Sequence, residues 1–306
     1  LEEDGLLEKT IIVFYTDHGG PLPRQKRLLY DSGIKVPMII RYPNKARAGE
    51  IDERMISFVD FAPTLLSIVE IEPPDYYQGF PFEGTFKPKD DRKYIHAAAD
   101  RFDEHYDQIR AVRDERYKYL RNYNPDKPYY LPLEYRQKMN TMQELLNLEK
   151  VGKLDEKQLQ WFRKSKPEEE LFDTFSDPHE LRNLSSDTNH LEKLIELRKE
   201  CDKWIYNTGD KGFMPETELI ETFWPNKKQP RTTDPLIKMY DGMLHATCDT
   251  EGAGIGYRYR NIDMKPHLGW RPYTKPLKIE KDQEIDWIAH RIGFLPSPTK
   301  KYKNEP

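Results

Sequence analysis

The sequence predicts an α/β chain that changes character twice: a piece of α/β sheet, then an antiparallel α+β subdomain, then a small β module. Three observations predict this. Residues 10–16, Thr-Ile-Ile-Val-Phe-Tyr-Thr, form a continuous β-branched and aromatic run that stops at Asp17-His18-Gly19-Gly20; such a run fits a strand buried on both faces, as in a parallel sheet. Between 93 and 208, short strand patterns alternate with helical ones and end in one long amphipathic helix. From 235 to 298 the text becomes short alternating strands separated by Gly and Pro turns.

Taken in order, the elements have local reasons. The glycines and prolines after residue 18 make a loop, and residues 36–41, Val-Pro-Met-Ile-Ile-Arg, supply a second strand. Residues 57–69 repeat apolar side chains at helical spacing, with Asp60 and Pro63 suited to the first turn. Residues 108–112 and 116–121 read as a hairpin turning at Asp114-Glu115, and 170–173 as a further short strand. Residues 141–164 are mostly helical. In 189–207, Leu191, Leu194, Ile195, Cys201, Trp204 and Ile205 fall on or beside one stripe. The expected division is 1–92 for the α/β part, 93–208 for the subdomain, 209–234 for a linker and 235–300 for the β module.

Composition excludes several classes. Lys and Arg total 49 against 53 Asp and Glu, a net charge of −4, which argues against a nucleic-acid binder. No apolar run approaches the ~18 residues of a membrane span. With 24 prolines and 12% aromatics the chain is neither coiled coil nor disordered. Two cysteines, Cys201 and Cys248, make no disulfide framework and no cysteine-rich zinc site.

The residues that carry chemistry cluster at the end of the first strand. In α/β sheets ligands bind outside the carboxyl ends of strands. Asp17 and His18 sit there and Lys26 follows in the loop, a set suited to a divalent cation and an anionic group held beside it. The competing reading makes Asp17 a turn cap and His18 a polar loop residue.

Thr16-Asp-His-Gly-Gly20, Tyr30-Asp-Ser-Gly-Ile-Lys-Val-Pro37 and Ser57-Phe-Val-Asp-Phe-Ala-Pro-Thr-Leu-Leu66 resemble the C-terminal signature of type I sulfatases, of the alkaline phosphatase-like superfamily. The resemblance continues through Ile109-Arg-Ala-Val-Arg-Asp114, Glu169-Glu-Leu-Phe-Asp173 and Asp177-Pro-His-Glu-Leu-Arg-Asn-Leu184, covering about residues 1–208. It implies a partial alkaline phosphatase-like sheet with an antiparallel α+β C-terminal subdomain. It also implies Asp17 and His18 as calcium ligands, Lys26 as the lysine contacting the sulfate and the calcium, and Asp31 and Gly33 as shapers of the loop. Asp100, Arg101 and Asp103 sit where related enzymes place substrate-facing polar residues; a surface salt bridge is the alternative. His96 reads as a sheet residue and His105 as a solvated one. Residues 247–257, 270–277 and 285–293 resemble the chitobiase/hexosaminidase C-terminal domain, a small β-sandwich. There Trp270, Tyr273 and Trp287 either stack on sugar rings or pack the core.

Family sulfatases use a formylglycine nucleophile made within a C/S-x-P-x-R motif, and these 306 residues contain none: Cys201 precedes Asp-Lys-Trp and Cys248 precedes Asp-Thr-Glu. The resemblance therefore implies the C-terminal part of a carbohydrate sulfatase, periplasmic or secreted. Its partners are a sulfated carbohydrate substrate and the missing N-terminal half, with the remaining Ca²⁺ ligands outside this chain, which is expected to be inactive alone. Two other readings stay open: a phosphonate or phosphodiester hydrolase of the same superfamily, and a non-catalytic glycan-binding remnant.

Overall fold

The computed structural model describes residues 1–260 and 269–304; residues 261–268, inside the expected β module, lie outside the described residues. The chain forms two compact units, Leu1–Asp210 and Lys211–Pro306.

The first unit opens with β1 (Ile12–Tyr15), the one-turn helix α1 (Asp31–Ile34) and β2 (Met38–Arg41). Among the described residues β1 has one strand partner, β2, and no parallel neighbour. β1 pairs with β2 antiparallel, Tyr15 opposite Met38 and Ile12 opposite Arg41, and Val13, Phe14, Tyr15 and Ile39 stay exposed. A parallel partner needs a long crossover, usually a helix across the sheet, and residues 16–37 hold only α1. Next comes α2 (Phe61–Ile68), entered through a capping box in which Ser57 and Asp60 exchange side-chain and backbone bonds. Asp60 is buried, accepts from the Phe80 N–H and pairs with Arg92.

Four antiparallel strands follow in the spatial order β3 (Ile95–Phe102), β4 (His105–Arg113), β5 (Tyr117–Asn122), β6 (Glu169–Asp173). Asp114 closes the β4–β5 hairpin by accepting the N–H groups of Arg116 and Tyr117. Between β5 and β6 run α3 (Glu134–Gln137), α4 (Asn140–Lys150) and α5 (Glu156–Leu159), and α6 (Leu191–Thr208) ends on Gly209 in the left-handed region.

The period-two alternation of the strands sorts their side chains into two cores. Ala111, Leu120 and Phe172 face Leu28, Leu29, Tyr30, Leu133 and Trp161. Their chain neighbours Val112, Tyr119 and Leu171 face Leu194, Leu197 and Cys201 of α6. The helical stripe therefore includes Leu197, absent from the expected set, while Leu191 at the first turn is exposed.

The second unit holds α7 (Glu216–Phe223) and strands β7 (Leu236–Tyr240), β8 (Met243–Thr247), β9 (Gly254–Tyr259), β10 (Arg271–Pro272), β11 (Leu277–Lys278), β12 (Glu284–His290) and β13 (Lys300–Lys303). They form two sheets, ordered β10-β9-β12-β13 and β11-β8-β7. Leu244 and Ala246 from one sheet and Ile285 and Trp287 from the other share a core, the arrangement of a small sandwich. Trp287 is fully buried, and Tyr273 packs edge-on against it while its hydroxyl accepts the Ala246 N–H. Both are core residues. Trp270 is exposed beneath the Arg258 guanidinium. Residues between α7 and β7 belong to this unit: Trp224 Nε1 donates to the Gly293 carbonyl and Arg231 to that of Pro296.

Leu197 is fully buried at the α6–sheet contact. Leu197→Ala should destabilise the first unit by about 2–5 kcal/mol, the range for a truncated core leucine, read as a lowered midpoint in urea unfolding.

Candidate functional site

The loop after β1 is built by close backbone approach. Gly19 N–H donates to the Gly33 carbonyl at 2.8 Å and Gly20 N–H to that of Ser32 at 3.2 Å. A Cβ on Gly19 would lie 2.1 Å from the Ser32 oxygen, and one on Gly33 would lie 2.4 Å from two carbonyl oxygens, so only glycine fits either place. Lys26 N–H returns to the Gly20 carbonyl at 3.0 Å, closing the turn that carries Lys26.

This loop is fastened from below by the subdomain. Lys118 is on the same face of β5 as Leu120, and its Nζ is buried against Asp31 Oδ1 at 2.5 Å, Glu180 Oε1 at 3.0 Å and the Leu29 carbonyl at 2.8 Å. Glu180 Oε2 accepts the Asp31 N–H at 2.6 Å, and Arg24 donates to the carbonyls of His179 and Glu180. Burial pushes the Asp31 carboxyl up, but the adjacent Lys118 ammonium outweighs it and holds the group below its usual range. Burial wins at Glu180 and raises it. Glu170 is raised as well, again by burial, although Tyr30 and Asn122 donate to it. The segment holding Glu180 is itself pinned: Asp177 accepts the N–H groups of Leu181 and Arg182, and Asn183 accepts those of Leu171 and Ser185.

Each candidate residue has a definite place. Asp17 is exposed, and His18 Nε2 lies 3.6 Å from its carboxylate while Nδ1 meets the Gly19 carbonyl. Lys26 Nζ stands 5.6 Å from the centre of the Tyr135 ring, and Arg27 shares that ring at 5.1 Å. Arg27 pairs with Asp103 at 2.6 Å, so the Lys26 loop and the β3–β4 turn meet, with Arg101 donating to the Asp103 carbonyl. Asp100, beside the β3 bulge, pairs instead with buried Arg110, which also holds Asp210. His96 is a sheet residue, stacked on Trp204 and bonded to Glu200. Burial pushes the Cys201 thiol up to about 12, so it is an inert core side chain.

A calcium ion takes six to eight oxygen ligands. Asp17 and His18 supply one carboxylate and one imidazole, and no group of three or more potential ligand side chains exists among the described residues. These residues do not by themselves fit a resident metal ion. Arg27, Tyr135, Arg136 and Lys118 enter the site without having been singled out in sequence. Their contacts join positions about a hundred residues apart, which no local pattern carries.

Residues 24–160, which include Lys26, Asp31, Lys118 and α3, match the family N-sulphoglucosamine sulphohydrolase, C-terminal. An ulvan-active sulfatase of Formosa agariphila is 55% identical over 298 residues, 97% of this chain and 50% of the relative. Human N-sulphoglucosamine sulphohydrolase is 26% identical over 75% of this chain and 48% of its own length. A solved structure of a protein in complex with its substrate D-glucosamine-2-N,6-O-disulfate aligns with TM-score 0.50 and 24% identity, covering 70% of this chain and 38% of that one, and shows the shared fold. The chain is similar to the C-terminal portion of type I sulfatases. It spans about half the length of these curated relatives.

Two outcomes follow. Lys118→Ala should destabilise the first unit by about 3–5 kcal/mol, because it leaves Glu180 buried without its counter-charge and Asp31 with only Arg113 at 3.7 Å; urea unfolding followed by circular dichroism measures it. Glu170 has a folded pKa above its unfolded value, so its contribution is fully present below the ordinary carboxylate range and is lost as pH rises through the raised value. Glu170→Gln should therefore show a smaller fall in stability between pH 5 and pH 8 than the parent chain, read from denaturation midpoints across that interval.

Proposed function

We propose that this chain supplies the C-terminal half of a carbohydrate sulfatase that hydrolyses sulfate esters of a polysaccharide. In this reading Lys26 contacts the sulfate and bears catalytic weight. Asp17 and His18 are two ligands of a Ca²⁺ ion whose other ligands lie outside these residues, and the formylglycine nucleophile also comes from outside them. Asp103 and Arg101 border the substrate from the β3–β4 turn, and Asp100 steadies that turn through Arg110. Residues 1–92 belong to the catalytic α/β domain, 93–208 to its C-terminal subdomain, and 235–300 form an appended sandwich joined by 209–234. The enzyme acts in the periplasm or outside the cell. Among the described residues no helix is long and apolar enough to cross a membrane.

The observation that carries this reading is the pairing of 55% identity to an ulvan-active sulfatase with a loop that presents Lys26 from a rigid base. The lysine's backbone is held at Gly20, and its loop is clamped to β5 and to the segment after β6. Preorganised charge of this kind stabilises a developing anion without reorganising during the reaction.

A chimera tests it. This chain, joined to the N-terminal half of the Formosa agariphila sulfatase, should release sulfate from ulvan, and Lys26→Ala in the chimera should lower the rate at least about a hundredfold. The chain alone should release none. Calcium-dependent sulfate release from the chain alone, or full activity of the Lys26→Ala chimera, would contradict the proposal.

A further inference from the structure

Four cationic side chains are buried among the described residues: Arg110, Lys118, Arg136 and Lys166. Three of them are neutralised by carboxylates. Arg110 faces Asp100 and Asp210, Lys118 faces Asp31 and Glu180, and Lys166 faces Asp107 at 2.6 Å. Arg136, in α3, is the exception and makes no ion pair with the described residues. A buried cation without a counter-charge is strongly unfavourable. Its hydrogen bond runs to the Lys26 carbonyl at 3.2 Å, and its guanidinium lies 5.1 Å from the centre of the Trp161 ring. Burial, and after it the field of Arg27, hold the guanidinium below its usual range. The nitrogens that make no bond are not sealed in, since none is among the buried polar atoms left without a partner.

The surroundings are cationic and partly open. Lys26 and Arg27 lie over the half-exposed ring of Tyr135. The carboxylates at this place are already engaged: Asp103 by Arg27, and Glu104 by the Glu134 N–H at 2.9 Å. Three positive charges thus converge on one loop against two occupied negative ones. Asp103 acts on Arg136 only through its field, since its carboxylate is paired with Arg27.

We propose that Arg136, with Arg27 and beside Lys26, forms an anion subsite that takes a second negatively charged group of the sugar substrate, a carboxylate or a sulfate other than the one cleaved. The proposal deepens the sulfate-ester reading and rests on it for the identity of the sugar. A planar guanidinium beside a second cation suits an oxyanion, which accepts two parallel N–H bonds. The subsite makes the protein selective for doubly charged saccharides over singly charged ones.

Equilibrium binding to the chain tests this with four probes: a monosulfated neutral sugar, the same sugar carrying a second sulfate, the same sugar linked to a uronate, and an unsulfated uronate disaccharide. The doubly charged probes should bind about tenfold more tightly than the monosulfated one, the discrimination expected of one added charge-assisted hydrogen bond. Arg136→Met, which keeps an unbranched side chain without the charge, should bring that ratio close to one, and Arg136→Lys should retain part of it. The melting temperature of Arg136→Met should not fall below that of the parent chain, because a lone charge leaves the interior; a merely structural arginine would lower it. A ratio near one in the parent chain, or an undiminished ratio in Arg136→Met, overturns the subsite. Uniform weakening of every probe by Arg136→Met overturns it too. Arg136-dependent binding of the unsulfated uronate, with no binding of the monosulfated sugar, would keep the subsite and remove the sulfate-ester reading instead.

Discussion

The buried Lys118 ammonium is the contact on which the arrangement of the candidate site depends. It is one charge held by two carboxylates and a main-chain carbonyl, and those three partners come from two distant segments, the loop at 29–31 and Glu180. Hydrogen bonding and opposite charge offset the desolvation that each ion would otherwise suffer alone. Because Asp31 begins α1, and the Ser32 and Gly33 carbonyls receive the N–H groups of Gly20 and Gly19, the lock reaches through the backbone to the turn that bears Lys26. The four-stranded sheet thus does two jobs with one strand. Odd positions of β5 pack α6, and the even position Lys118 holds the loop.

A second consequence concerns charge placement. The first unit contains several buried ions, and nearly all are arranged as closed sets: Arg110 with Asp100 and Asp210, Lys166 with Asp107, Asp60 with Arg92. Such sets define which segments meet more than they add to stability. Against that background Arg136, the one buried arginine without an ion pair among the described residues, stands beside the loop that the Lys118 set holds. The contrast between the closed charge sets and this one buried guanidinium is the ground for the proposed anion subsite.

Much of this fold could be read along the chain where the cause is local. The hairpin turning at Asp114 follows from strand alternation on both sides and an acidic turn residue that accepts two N–H groups. The capped entry to α2 was foreshadowed by Asp60, and the long helix by its stripe. Even Lys118 had a visible signature, a lysine at the same strand parity as Leu120, where an apolar side chain is the rule. What could not be read was its pair of partners, 87 and 62 positions away in sequence. The antiparallel direction of β2 against β1 is likewise set by the packed chain.

By itself the sequence determined the order of elements, the glycines at 19 and 33 that permit the loop, and the positions of Asp17, His18 and Lys26 after the first strand. These depend on backbone sterics and on side-chain periodicity, which act over a few residues. The tertiary structure alone decided that Asp103 turns to Arg27, that Asp100 turns to Arg110, and that Arg136 lies under Lys26 without a counter-charge. Those outcomes depend on which charges share a low-dielectric volume, and that is set only when distant segments pack together.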